Sequence, residues 1–239
     1  MNNIIVQDAC ETYAKSLGTD GKVYFLGLTS ATDIDQTIKQ TELKGGIGNG
    51  TIAMIQSDKA IKFKVTTAVH SDSFYEMQSG TVAANGTYTV QKTDTDVLTG
   101  GSLTITGTPV GTTAIVIDAH GKQFAGTIAV KEVTITGGVE GAKYTILYGE
   151  SVTGDVLDLR TDKFPNNYYT ELHTIAYDAD SNAVVADIYW VFDKALPDGA
   201  LSAKLAAGTN ATDEINFTAQ LPANTKSYGK YIVVPRVVA

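Results

Sequence analysis

The sequence predicts a mainly β protein: a β-sandwich or split barrel with one or two short helices, plus a small all-β insertion. Three observations carry this. Glycine is frequent, at 23 of 239 residues, and proline rare, at 5; Gly with Thr, Val and Tyr is the composition of strands joined by many turns. Two stretches, "AIKFKVT" (60–66) and "EINFTAQL" (214–221), alternate apolar and polar residues with period two, as half-buried strands do. Glycine pairs such as Gly100–Gly101 and Gly137–Gly138 punctuate the middle of the chain at the spacing of an all-β domain.

Residues 8–18 are predicted as a short helix. Asp8 and Glu11 have capping-box spacing. Cys10, Tyr13, Ala14 and Leu17 form one stripe at i, i+3, i+4 and i+7, and Gly18 suits the position after a helix end. "KVYFLGL" (22–28) reads as a strand. "SATDIDQTIKQTELKGG" (30–46) is either a helix capped by Thr32, carrying Ile34 and Ile38, or a polar arm. A hairpin is expected next, with "TIAMIQ" (51–56) and "AIKFKVT" flanking a turn at "SDK". A second helix fits 72–79: Ser73 and Glu76 have capping-box spacing, Phe74 and Met77 share a face, and Gly80 ends it.

The character changes between about 81 and 154, which holds about half of the glycines. Short strands are expected at "TYTVQK", "SLTITG", "AIVIDA", "TIAVKEVTIT" and "KYTILYG". This predicts an insertion over 82–154, with 1–81 and 155–239 forming the main β-sandwich core. Beyond it, "ELHTIAYDADSNAVVADIYWVFDK" is a strong hairpin. Val184, Ala186, Ile188, Trp190 and Phe192 line one face of its second strand; Val185, Asp187, Tyr189, Val191 and Asp193 line the other. Both faces are partly apolar, so this strand is expected to be covered twice or to join a neighbouring chain. In "EINFTAQL" Ile215, Phe217, Ala219 and Leu221 form the dry face. "KYIVV" closes the fold at Pro235, which cannot continue a central strand.

Charge and composition exclude several functions. A net charge of −8 opposes charge-driven binding to DNA or anionic membranes. Cys10 is the single cysteine, expected buried, with no internal disulfide or zinc cluster possible. The N-terminus lacks the pattern of a secretory signal, and no apolar run approaches the ~18 residues of a membrane span. Sequons at Asn49, Asn85, Asn210 and Asn216 are read as chance.

No motif predicts an enzyme, metal or cofactor. Gly46, Gly48 and Gly50 space as G-x-G-x-G and precede a strand. A dinucleotide loop needs a strand before it and a helix after it, and a P-loop needs Lys then Ser or Thr. The glycines are therefore a bend, a positive-φ turn or a close backbone approach. "DADSN" (178–182) opens like a calcium loop, but Ala183 and Tyr189 stand where Gly and Glu are required, so it reads as a polar hairpin turn. His70, His120 and His173 are scattered on different elements. No G-x-S-x-G elbow occurs, and "KSYGKYIVVPR" reads as a terminal strand with solvated lysines.

Several stretches together resemble a known family. "ELKGGIGNGTIAMIQSDKAIKFKVTTAVHSDSFYEMQSG" is similar to the N-terminal half of the tail tube proteins, or major tail proteins, of tailed bacteriophages infecting Gram-positive bacteria. "VTGDVLDLRTDKFPNNYYTELHTIAYDADSNAVVADIYWVFDKALPDG" and "INFTAQLPANTKSYGKYIVVPR" resemble the C-terminal half. The likeness spans about two thirds of the chain, and 82–154 matches less well. It implies a ring-forming virion structural protein without catalytic residues or cofactors. Subunits of such a protein form hexameric rings that stack into a tube, and their sheets join into one barrel. Genome DNA passes through without specific binding. The implied partners are further copies of the chain and other tail proteins (tape measure, terminator, possibly a sheath), and no membrane. The implied location is the virion tail, after assembly in the host cytoplasm. Within this picture Asp187 and Asp193 are the lumen-facing candidates, and Gly45, Gly46, Gly48 and Gly50 the hinge of an inter-ring arm. The competing readings are a carbohydrate-binding or adhesive β-sandwich, with Tyr168 and Tyr169 stacking on sugars, and a capsid decoration protein.

Overall fold

A computed structural model describes residues 4–6, 10–27, 29–67, 71–201 and 212–236. Asp8, His70 and Asn210 lie outside these. The described chain is mainly β, in chain order β1 (Ile4–Val6), β2 (Glu11–Ser16), β3 (Val23–Leu26), β4 (Thr29–Gly45), β5 (Gly50–Thr67), α1 (Asp72–Ser79), β6 (Ala84–Val97), β7 (Ser102–Thr104), β8 (Thr113–Asp118), β9 (Gln123–Ala129), β10 (Glu132–Ile135), β11 (Lys143–Val156), β12 (Tyr168–Asp178), β13 (Val184–Pro197), β14 (Asp213–Ala219) and β15 (Gly229–Pro235). It divides into two compact units, 1–82 with 157–239, and 83–156.

The first unit is one antiparallel sheet in the order β3-β2-β12-β13-β14-β5-β4. It forks at β13. Residues Ala186–Phe192 pair with β15, and Ala195–Pro197 pair with β14. β1 adds to the far end of β12. The core lies on one face, where Phe63 stacks on both Phe192 and Phe217 at 4.4 and 4.7 Å between ring centres. Val65, Leu172, Ile215 and Met77 of α1 close around them. The clean alternation of β14 holds for Ile215, Phe217 and Ala219; Leu221 lies past the strand end and is exposed.

α1 forms where its pattern predicts, with Phe74 and Met77 buried. Gly80 adopts φ 70° and its N–H bonds the carbonyl of Glu76. A Cβ here would meet the carbonyl oxygen of Phe164 at 2.0 Å, so glycine is required twice over. The N-cap is Ser71, without a side-chain cap bond, rather than a box begun by Ser73. Asp213 anchors this end instead, accepting from the Ser71 N–H (3.1 Å) and the Tyr75 hydroxyl (3.3 Å). Lys22 pairs with the buried Glu76, tying the helix to β3.

The helix expected over 8–18 is instead β2. Its buried set is Thr12, Ala14 and Ser16, each at most 2% exposed, with Glu11, Tyr13 and Lys15 on the other face. The period is two, but two of the three core residues carry hydroxyls, so the apolar count alone gave a helical stripe. The turn expected at "SDK" is also absent. β5 runs unbroken from Gly50 to Thr67, and Asp58, at φ 52°, is an extra residue where the pairing slips between Ile38↔Lys59 and Lys39↔Ser57. A turn-forming Asp is here a β-bulge. Residues 30–46, open between helix and arm, are the matching strand β4.

The second unit is a six-stranded antiparallel sheet, β6-β11-β8-β9-β10-β7, around Leu103, Val116, Val133, Tyr144, Ile146 and Tyr148. "TIAVKEVTIT", expected as one strand, is split into β9 and β10 by a two-residue turn at Val130–Lys131. Val130 has φ 62° and is 88% exposed. A β-branched residue gives no turn signal in sequence and is strained in this region.

Candidate assembly surfaces

The surface features of the first unit follow from its strands. β4 and β5 pair from Thr29↔Thr67 to Gly45↔Gly50, but only Ile61, Phe63, Val65 and their neighbours reach the core. From Gln36 outward on β4, and from Lys59 back on β5, the ribbon is exposed and forms an arm. Leu43, Ile52, Met54 and Ile55 are each more than half exposed. A two-stranded ribbon is marginal by itself in water, so these side chains are unfinished within one copy.

The four glycines sit at the far end of this arm. Gly46 and Gly48 have φ 80° and 93°, and Asn49 has φ 53°, with the Asn49 N–H bonded to the Gly46 carbonyl at 3.1 Å. They make the tight turn joining two strands, with Ile47 at its tip fully exposed. Gly45 and Gly50 close the ladder beside it.

At the root of the arm the fork of the sheet leaves a notch of about 300 Å³ between β13, β15 and the β4–β5 base. Its walls include Ile61, Trp190, Phe192 and Tyr231. Trp190 packs on Tyr231 at 4.6 Å between ring centres. The Tyr228 hydroxyl donates to the Lys59 carbonyl at 2.8 Å and ties the approach to β15 onto the arm base. Lys59, Lys226 and Lys230 also border the notch. Sequence reasoning read the lysines here as solvated and did not find the notch, because the fork that creates it is a property of pairing.

The sheet face opposite the core carries Asp187. Its carboxylate accepts two hydrogen bonds from Arg236 (2.6 and 2.8 Å) and lies 2.9 Å from Nε2 of His173. The Arg236 guanidinium, helped by His173, holds this carboxyl far below the usual carboxylate range. Asp193 lies where the pairing of β12 with β13 slips between Tyr168↔Ala195 and Thr170↔Phe192, so the simple alternation read as far as Asp193 breaks there. His173 stacks on Tyr189 at 4.6 Å, and Glu11, Tyr13, Phe25, Tyr169 and Glu171 share this open face. Tyr168 is buried in the core at 1% exposure, and burial pushes its hydroxyl up to about 12. It cannot stack on a sugar, whereas Tyr169, the other aromatic of the adhesive reading, lies on the open face.

Edges remain open as well. In β15, Tyr231 through Val234 are all at least 39% exposed, so both its faces are uncovered. "DADSN" is a hairpin turn, with Oδ1 of Asp178 accepting from the Asp180 and Ser181 N–H groups at 3.1 and 2.9 Å. Among the described residues no group of three or more His, Cys, Asp or Glu is placed to hold a metal ion, and no helix is long and apolar enough to cross a membrane.

The described chain is thus a mainly β protein built on a forked sheet, with an outreaching exposed arm and uncovered strand faces. The chain belongs to the YomU/Tube protein family, whose family model matches residues 5–234. It is 28% identical over 241 aligned residues to the tail tube protein of Bacillus phage SPR, covering 97% of this chain and 89% of that one. It is also 29% identical over 158 residues to the SPbeta prophage-derived uncharacterized protein YomU of Bacillus subtilis (strain 168), covering 65% of this chain and 59% of that protein.

Proposed function

We propose that this protein is a non-enzymatic structural subunit of a bacteriophage tail tube. The observation that carries this is the likeness to the phage SPR tail tube protein along 97% of the chain. The surfaces support it: an arm whose apolar residues are uncovered within one copy, and a terminal strand with both faces open. In this reading subunits close into hexameric rings by joining sheet edges, which removes the exposed strands that otherwise aggregate. The arms then bridge successive rings, and the glycines at 45, 46, 48 and 50 let the tip adapt on contact.

The tube would be a conduit for genome DNA, with a net charge of −8 per chain disfavouring phosphate binding. Asp187 and Asp193 remain its lumen candidates; because Arg236 offsets Asp187, Asp193 would contribute more of the repulsion. Tape measure and terminator proteins, with a sheath where the tail contracts, are the further partners, and the virion tail, built in the host cytoplasm, is the location. The 83–156 unit is read as an insertion decorating this core. Negative-stain microscopy of the concentrated purified protein tests the reading. Rings or tubes of constant diameter are expected, and particles that stay monomeric at every concentration would rule it out.

A further inference from the structure

Resting on that reading, we propose that the arm tip of one copy seats in the fork notch of a second copy, with Ile47 as the knob and the Trp190–Tyr231 pair as its floor. Four observations lead there. Ile47 is a large apolar side chain with no cover at all, presented at the tip of the turn. The tip is also as thin as a chain can be. Gly46 and Gly48 need glycine for their positive φ, but Gly50 does not: its φ is ordinary, and a Cβ there would meet nothing within 4 Å. Among the described residues nothing requires Gly50 to lack a side chain, whereas insertion of the tip into a notch favours it.

The notch is suited to such a guest. Its lining joins Ile61, Trp190, Phe192 and Tyr231 with Lys59, Lys226 and Lys230, whose ammonium groups are donors for the carbonyls that a glycine turn leaves bare. Its own arm cannot fill it. The arm is a paired ribbon from Gln36↔Ile61 to Gly45↔Gly50, with single slips between Ile38 and Lys39 and between Leu43 and Lys44, and this pairing holds the tip away from its root.

Reach fixes the partner. Gln36 and Lys59 border the notch, and the tip lies ten residues further along β4, roughly 33 Å at strand rise. The rest of the first unit, about 140 residues, has a diameter of roughly 35–40 Å from its expected radius of gyration. An arm of one body's length delivers its tip to the level of the next copy's arm root. Knob and notch are different patches of the same chain, so the contact is heterologous, and it repeats along an open stack when the rotation between copies does not close a ring.

A cysteine pair tests this. A chain carrying both Ile47→Cys and Tyr231→Cys is polymerised, oxidised and run on a non-reducing gel. A ladder of covalent multimers, absent from either single variant, is expected. If that double variant does not polymerise, the two single variants are doped together into wild-type polymer, and a covalent dimer of one with the other is the expected product. Ile47→Asp and Gly50→Leu should each lower the sedimenting polymer at least tenfold with monomer melting unchanged. Tubes of the double variant, or wild-type tubes doped with the two single variants, that form without the cross-link, or Ile47→Asp tubes in normal yield, would overturn the knob and notch and leave the tube reading standing. Failure of the wild type to polymerise at all would remove both.

Discussion

At the scale of single residues the fold holds one clear strain and one strong electrostatic latch. Val130 occupies the first position of a two-residue hairpin turn at φ 62°, where such turns place glycine. Holding a β-branched residue there costs about 1–3 kcal/mol. Val130→Gly should therefore raise the stability of the 83–156 unit by about 1 kcal/mol, read as a shift of its denaturant midpoint at unchanged slope; a lower midpoint would refute the strain. The latch is Asp187 with Arg236, which pins the chain end beyond β15 against β13. Because Asp187's folded-state pKa lies below its ordinary 3.8, its contribution is complete above that value and is lost as pH falls toward the folded one. Arg236→Ala should move the Asp187 carboxyl up toward 3.8 in a carbon-13 NMR titration. The stability gap between wild type and variant should be largest near neutral pH and shrink in strong acid. A gap that widens in acid would contradict the assignment.

Among elements, the arm decides the most. Among the described residues its outer half is exposed apart from the β4–β5 pairing itself, so replacing residues 37–58 by a two-residue turn should leave the melting of the first unit within a few degrees of wild type while abolishing polymer. In hydrogen exchange, amides of 38–57 should exchange far faster than those of β12 and β13 in the monomer and become protected on assembly. Equal protection in the monomer would mean that the arm is already packed. The arm also shows what the sequence could and could not disclose. α1, the β12–β13 hairpin and the alternation of β14 were legible because most of their buried residues are apolar and their period holds over most of their length, despite the slips in β12–β13 and the buried Thr170, Thr174, Glu76, Gln78 and Asp213. β2 was not, since Thr12 and Ser16 lie in its core and conceal a period of two. The full length of β5 was hidden because Asp58, a turn former, is accommodated as a bulge. The glycines were legible as a turn, and their place at the end of a long ribbon was not. The notch was beyond reach, because it exists only where β14 and β15 part along β13.

On the scale of the molecule, the first unit contains a main core and a smaller cluster of Ala176, Ala186 and Ile188, while among the described residues its arm and β15 stay exposed. Covering the exposed arm residues is worth on the order of 1 kcal/mol per side chain at about 25 cal/mol per Å², enough in sum to matter only when many copies engage together. That favours a polymer over an isolated pair. The central claim is that the exposed arm is completed by another copy of the chain, and a cryo-EM reconstruction of the assembled protein tests it most directly. A tubular polymer is expected, in which residues 37–58 lie against the body of a different copy. A map with free arms projecting into solvent, or bodies joined through surfaces that leave the arm bare, would contradict it.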